Sequence, residues 1–429
     1  MKPERPQRPP RTRELGASTL VLVMVLFFVM AMVAAFSNRN LVFEQRIGSN
    51  YYRAALAQEA AEAGAEWVLG ALNGDLVDAA CQPAAAGQRF RDIHLGIAAD
   101  RSISRKILNV NWEVAACARN GGQGWQCDCP ANGAVTLVPA ADPNAQIQPM
   151  FGTRFAVSPR PGVVRVTVQG CTDLLANCRN LARAATNNLA QNTLQFDAAL
   201  VSALKTPPAS PLTVRGTVDL GNVGLGLHNT HPETGGLLMQ TGQAEYRGSL
   251  DRSSSTPGTP AGSALIRDDA SLRRGTTDDM FRLFFGMAPQ TYRQQAAMRE
   301  LRCGNSDCSA ALSQAIAAGA DLVWVDGPAS LSSNVQLGSA TRPIVLVVNG
   351  ALQLQGPMLL NGLVYVRGDA SWSNGSGQPA RLIGALLSEG DMVASGTVDI
   401  AYDAGTLSTI SNQRGSFVRV PGSWMDATQ

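Results

Sequence analysis

The sequence predicts an α+β protein. A long N-terminal α-helix packs on a small sheet and is followed by a β-rich, β-solenoid or parallel β-helix-like C-terminal domain with a small helical insertion. Three observations predict this. Residues 17–36 carry no charge, and the helix-forming pattern continues without proline to residue 73. Segments such as VVRVTVQ (163–169) alternate apolar and polar residues. Beyond the prolines Pro207, Pro208 and Pro211, short apolar runs recur between Gly, Asn, Asp and Ser turns without long helices between them.

Residues 1–16 are polar and proline-rich. Lys2, Arg5, Arg8, Arg11 and Arg13 face Glu4 and Glu14, a net charge of +3. The twenty uncharged residues that follow span about 30 Å as a helix, the thickness of a bilayer core. The basic segment favours the cytoplasmic side, which sends the chain after residue 36 outward. The apolar run is longer than a secretory signal's, and the polar segment after it does not read as a cleavage region. Residues 37–73 continue as helix, with Leu41, Phe43, Ile47, Tyr51, Leu56, Ala60, Ala63, Trp67, Val68 and Leu72 at three- and four-residue steps on one apolar face. Gly74 is the expected C-cap. The whole helix, 17–73, is roughly 85 Å long.

The Gly16-Ala17 junction with its apolar run, and RNLVFEQRIGSNYYRAALAQEAAEAG after it, resemble the N-terminal domain of PilX-family minor pilins of type IV pili. The resemblance implies that a prepilin peptidase cuts after Gly16 and leaves Ala17 as the mature N-terminus. It implies a single pass through the bacterial inner membrane, a periplasmic C-terminal region, and later a place in the pilus fibre. Implied partners are other minor pilins, the major pilin, the prepilin peptidase and a PilY-type tip adhesin. Major pilins carry Glu at the fifth mature position, and here that position is Val21. A buried carboxylate–ammonium pair is costly to half-remove, so a subunit without the Glu fits the tip, where nothing lies above it. Tip-type pseudopilins of type II secretion share this absence. The alternative readings are a single-pass, envelope-anchored binding or adhesion protein and a tip-type pseudopilin of type II secretion.

Residues 75–204 are expected to form an α+β head, with strands at 106–116, 134–138 and 163–169, and at 192–204 by alternation. Residues 205–429 form the β-rich domain, with strand candidates at 322–325, 344–348, 352–354, 363–366, 383–388 and 398–401. The run IVLVV suggests a strand covered on both faces, which favours a stack of parallel strands over a meandering sandwich. Residues 268–320 read as a helical insertion, with helices expected from FRLFFGM, TYRQQAAMRELRC and CSAALSQAIAAGA. TRPIVLVVNG, VDIAYD and GSFVRVPGSW extend the family resemblance, less specifically, into this region.

The eight cysteines Cys81, Cys117, Cys127, Cys129, Cys171, Cys178, Cys303 and Cys308 suit up to four disulfides after export and metal in the cytosol. Cys127 and Cys129 are too close to bridge each other, so each pairs elsewhere, whereas Cys303 and Cys308 are near enough to bridge. A zinc reading of CDC with Cys117 has no histidine near it. A net charge of +2 creates no field toward nucleic acid, and no nucleic-acid partner is expected.

Catalytic signatures are lacking: GxSxG, HExxH and Walker A motifs do not occur, and GNVGLG has no helix after it. His228, His231 and Glu233 form a weak metal pattern in a turn. The acid pairs Asp268–Asp269, Asp278–Asp279 and Glu389–Asp391 suit calcium, helix caps or solvated faces equally. The expectation is a protein with no catalytic site, cofactor or resident metal. Trp372, in the polar stretch DASWSNGSG, is the aromatic expected at a surface contact.

Overall fold

The computed structural model describes residues 16–106, 113–119, 124–130, 147–172, 189–304, 306–332 and 334–426. The expected strand at 134–138, residues 107–112 of the expected strand at 106–116, and Cys178 lie outside the described residues. Helix α1, Gly16–Asn73, runs 58 residues and is about 87 Å long.

The head is an antiparallel sheet laid against the last turns of α1. Its strands are β1 (Glu113–Arg119), β2 (Trp125–Asp128), β3 (Met150–Val157), β4 (Val163–Cys171) and β5 (Gln191–Ser202), in the order β5-β4-β3-β1-β2. The strand expected at 192–204 is Gln191–Ser202. Alternation decides the buried face: Val164, Val166 and Val168 of β4 and Leu194, Phe196, Ala198 and Leu200 of β5 are buried. Ala57, Ala61, Gly64, Ala65, Val68 and Leu72 of α1 cover that face. Small residues set the approach, because a side chain at Gly170 would collide with the Ala57 carbonyl and one at Gly64 with Phe151 and Val168. Trp67 packs edge-on against Phe90, ring centroids 5.5 Å apart.

The strand that completes this sheet comes from the end of the chain. Gly415–Arg419 pairs antiparallel with β5, from Gly415↔Ser202 to Arg419↔Ala198, and Met425–Asp426 pairs farther along β5. On sequence this segment was grouped with the domain at 205–429. It turns back because Asn73, the last residue of α1, clasps it: Asn73 donates to the Phe417 carbonyl at 2.9 Å and accepts from the Phe417 amide at 2.8 Å.

Between these strands the chain builds two parallel sheets. The first contains, in spatial order, Leu265–Ile266, Met239–Thr241, Leu212–Val214, Arg381–Ser388, Leu359–Val366, Ile344–Asn349, Leu322–Asp326 and Met298–Leu301. The second contains Val218–Asp219, Met392–Gly396, Ala370–Asn374, Leu352–Gln355 and Ala329–Leu331. Pairings within both sheets are parallel, which an antiparallel meander does not have. The chain passes from one sheet to the other on each rung, as from Leu359–Val366 to Ala370–Asn374. The rung at 212–219, first in sequence, pairs with the last one, at 381–396.

Residues Val323, Val325, Leu346, Val348, Leu354, Val364 and Leu386 pack between the sheets. The outer faces of the longer strands are also apolar, and helices cover them. Phe281 and Phe285 of the helix Thr277–Phe285 lie on Trp324, Tyr365 and Val347, joined by Leu407 and Ile410 of the helix Ala404–Gln413. Double coverage accounts for the unbroken apolar run IVLVV.

The insertion holds helices Ala270–Arg274, Thr277–Phe285, Pro289–Arg293 and Ser309–Ala317. TYRQQAAMRELRC does not stay helical. Its helix ends at Arg293, and Met298–Leu301 becomes a strand paired parallel with Leu322–Asp326, where it covers the edge of the first sheet.

A buried ionic cluster joins head and stack. The Asp321 carboxylate, 1% exposed, lies 2.5 Å from Arg89, 3.1 Å from Arg91, 3.1 Å from Arg414 and 3.3 Å from Arg342. Arg89 and Arg91 come from the head, at the start of the helix Phe90–His94, and Arg414 ends the helix Ala404–Gln413.

Candidate functional site

Helix α1 divides into three stretches by its sequence. Gly16 begins the helix and Ala17 follows it. Val21 lies four residues on from Ala17, about one turn, and is 60% exposed. From Leu20 to Phe36 the large apolar side chains have about half or more of their surface uncovered. Such a stretch has no stable exposure in water. It is long and apolar enough to cross a membrane.

In the second stretch, 37–53, Arg39, Glu44, Arg46 and Arg53 interrupt a stripe of Leu41, Val42, Phe43, Ile47, Tyr51 and Tyr52. The sequence predicts that this stripe packs on the head, and the structure places it clear of the head: Leu41, Phe43, Ile47 and Tyr51 are all exposed. The head sheet is too short along the helix axis to reach it, and the first fully buried residue of the helix is Ala57. The third stretch, from Ala57 to Asn73, is docked. About two thirds of α1 therefore carries apolar surface that the other described residues do not cover.

The described cysteines are all disulfide-bonded. Cys81 bridges Cys129, Cys117 bridges Cys127 and Cys303 bridges Cys308. Cys127 and Cys129 thus each pair elsewhere, and the CDC motif with Cys117 belongs to disulfides rather than zinc. Cys171 is disulfide-bonded as well. The bridge Cys117–Cys127 ties β1 to β2, and Cys81–Cys129 fastens the segment after α1 to the end of β2.

Most of the other polar groups are engaged structurally, although the His231 Nδ1 and both His94 ring nitrogens are buried without a hydrogen-bond partner among the described residues. His94 is buried and held down to about 4 by that burial. His228 accepts or donates at Ser254 (2.9 Å) and at Asp399 (3.2 Å), which also binds Arg252. Asp269 caps Ala270–Arg274, and Asp279 forms a capping box with Thr276. Asp268 pairs with Arg273, and Asp278 with Arg367 at 2.6 Å. Asp391 accepts from the Thr217 amide at 2.6 Å, and Glu389 accepts from the Tyr365 hydroxyl at 2.8 Å. Among the described residues no three of His, Cys, Asp and Glu come together as a metal-ligand set.

Trp372 is not at the surface. It is fully buried between the two parallel sheets, in a strand whose Ala370, Trp372 and Asn374 point inward. Serines on the outward positions made this strand look like a polar loop.

Residues 16–66 match the family model of the PilX N-terminal domain. The N-terminus is PilX-like, that of a type IV pilin. The match covers the apolar and uncovered stretches of α1 and the first docked turns. Comparison with curated proteins and with solved structures gave no match. The PilX-like segment, with one long apolar helix, is consistent with membrane anchoring and with a place in a pilus, and it implies interaction with other pilus components. It suggests a minor-pilin role.

Proposed function

We propose that the protein is a minor pilin that primes or joins type IV pilus assembly, at or near the fibre tip, after a prepilin peptidase cuts between Gly16 and Ala17. The observation that carries this reading is the PilX N-terminal match from residue 16 onward, on a helix whose apolar surface stays uncovered as far as the docked turns. In this reading the helix first spans the inner membrane with the head and stack in the periplasm. It then packs among other pilin helices, which cover the stripe Leu41–Val42–Phe43–Ile47–Tyr51. The protein acts by assembly and not by catalysis, with no cofactor. Its partners are the major pilin, other minor pilins and a PilY-type tip adhesin.

Val21 sets the position. Without a carboxylate there, the helix offers no counter-charge to the N-terminal ammonium of a neighbour, so no subunit is favoured above it. The stack, read as a β-solenoid of rungs, adds bulk that suits a tip more than a crowded shaft. Immunogold labelling of fibres tests this: label is expected at fibre tips, and Val21→Glu is expected to move label into the shaft. Absence of the protein from sheared fibres would overturn the reading.

A further inference from the structure

Beside the Asp321 cluster a cleft of about 530 Å³ opens between head and stack. Arg89, Asp92 and Lys106 line it from the head, and Arg342 and Arg414 line it from the far side. Its walls therefore carry four cations against one carboxylate. Behind them stands Asp321, already shared by four guanidiniums, and with Arg91 included the cluster sets five cations against two carboxylates.

Two further observations bear on what this cleft can still accept. The Nε groups of Arg342 and Arg414 are buried and find no acceptor among the described residues, although Arg414 as a whole is only 9% exposed. Buried N–H donors are otherwise almost always satisfied. Arg91 is held down to about 10, by burial and then by the neighbouring Arg89. Guanidiniums present planar, charged forks that match carboxylate and phosphate oxygens. The cleft is of ordinary ligand-site size, larger than a single small ion needs.

We propose that this cleft binds a small oxyanion, a carboxylate- or phosphate-bearing molecule, held by Arg414 and Arg342 on one wall and Lys106 on the other. Lys106 is the one exposed cation of the set; its ammonium now donates to the Asp92 carbonyl at 2.6 Å and can turn toward a ligand. Because head and stack supply opposite walls, an occupied cleft stiffens the joint between them.

The test is thermal unfolding of the full-length protein in detergent with EDTA, titrating inorganic phosphate or citrate against chloride at constant ionic strength. A saturable rise in Tm with either probe is expected. Phosphate alone sufficing names a free phosphate group as the ligand chemistry, and citrate alone names a polycarboxylate. Lys106→Gln, which removes the bond to the Asp92 carbonyl but touches neither Asp321 nor the core, is expected to weaken binding about tenfold, read as the ligand-induced shift above each variant's own ligand-free Tm, and Lys106→Arg to restore it. Arg342→Gln is expected to weaken binding as well. No saturable shift with either probe, or equal affinity in the wild type and Lys106→Gln, would overturn the proposal.

Discussion

Arg91 of the head and Asp321 of the stack meet 3.1 Å apart, with 2% and 1% of their side chains exposed. Neither can be hydrated: Arg91 relies on Asp321, on Asp92 and on the Gly415 carbonyl, and Asp321 relies on Arg91, Arg89, Arg414 and Arg342. Because the partners come from residues 89–91, 321, 342 and 414, the cluster fixes how the head sits on the stack.

Asp321→Asn leaves Asp92 as the one carboxylate among the described residues facing the buried guanidiniums of the cluster and is expected to cost about 3–5 kcal/mol by chemical denaturation. Burial alone would raise the Asp321 pKa, but Arg89, Arg414, Arg91 and Arg342 together hold it below the ordinary range. Its stabilising contribution is therefore complete above the unfolded value of about 4 and is lost as pH falls through the lower folded value. The Asn variant should show a shallower acid limb than the wild type.

Glu389 has the opposite sign. Burial pushes it up to about 7, against the Tyr365 hydroxyl bond and Arg367. The folded state thus keeps a proton that the unfolded chain releases near pH 4, so stability is fullest below that value and declines as pH rises through about 7. Glu389→Gln keeps the Tyr365 bond and is expected to flatten this decline, gaining about 1–3 kcal/mol at pH 8. Urea midpoints at pH 5 and pH 8 measure it.

Gly170→Val places a side chain against the Ala57 carbonyl, where the backbones of β4 and α1 are too close for one. The expected loss is about 1–3 kcal/mol, read as a lower Tm with the helix pushed from the sheet.

The disulfides should differ in worth. Cys81–Cys129 closes 48 residues and Cys303–Cys308 only 5. Chain entropy assigns them about 4 and about 2 kcal/mol. Paired Cys→Ser variants, compared by denaturant midpoint, are expected to rank in that order.

The long helix was legible because its signals are local: no proline, an uncharged run, and apolar residues at helical spacing up to Asn73. Some strands of the parallel sheets were legible for the same reason, through runs such as IVLVV, whereas Ala370–Asn374 and Met392–Gly396, with serines at outward positions, were not. Pairings between distant segments carry no local signature. The return of Gly415–Arg419 to β5 depends on a side chain at Asn73, 344 residues away. Arg89, Arg91, Arg342 and Arg414 converge on Asp321 only once two sheets are in place. Trp372 was misread because a serine-rich strand and a serine-rich loop have the same composition; the alternation Ala370, Trp372, Asn374 was the usable signal. The free stripe from Leu41 to Tyr51 shows the limit of periodicity, which marks a face for burial without naming what buries it.

The N-terminal sequence and intact mass of the mature protein, from cells with and without prepilin peptidase, test the assembly reading most directly. The account predicts a chain starting at Ala17 only where the peptidase is present, and an unprocessed chain starting at Met1 where it is absent. A chain starting at Met1 in both would contradict it.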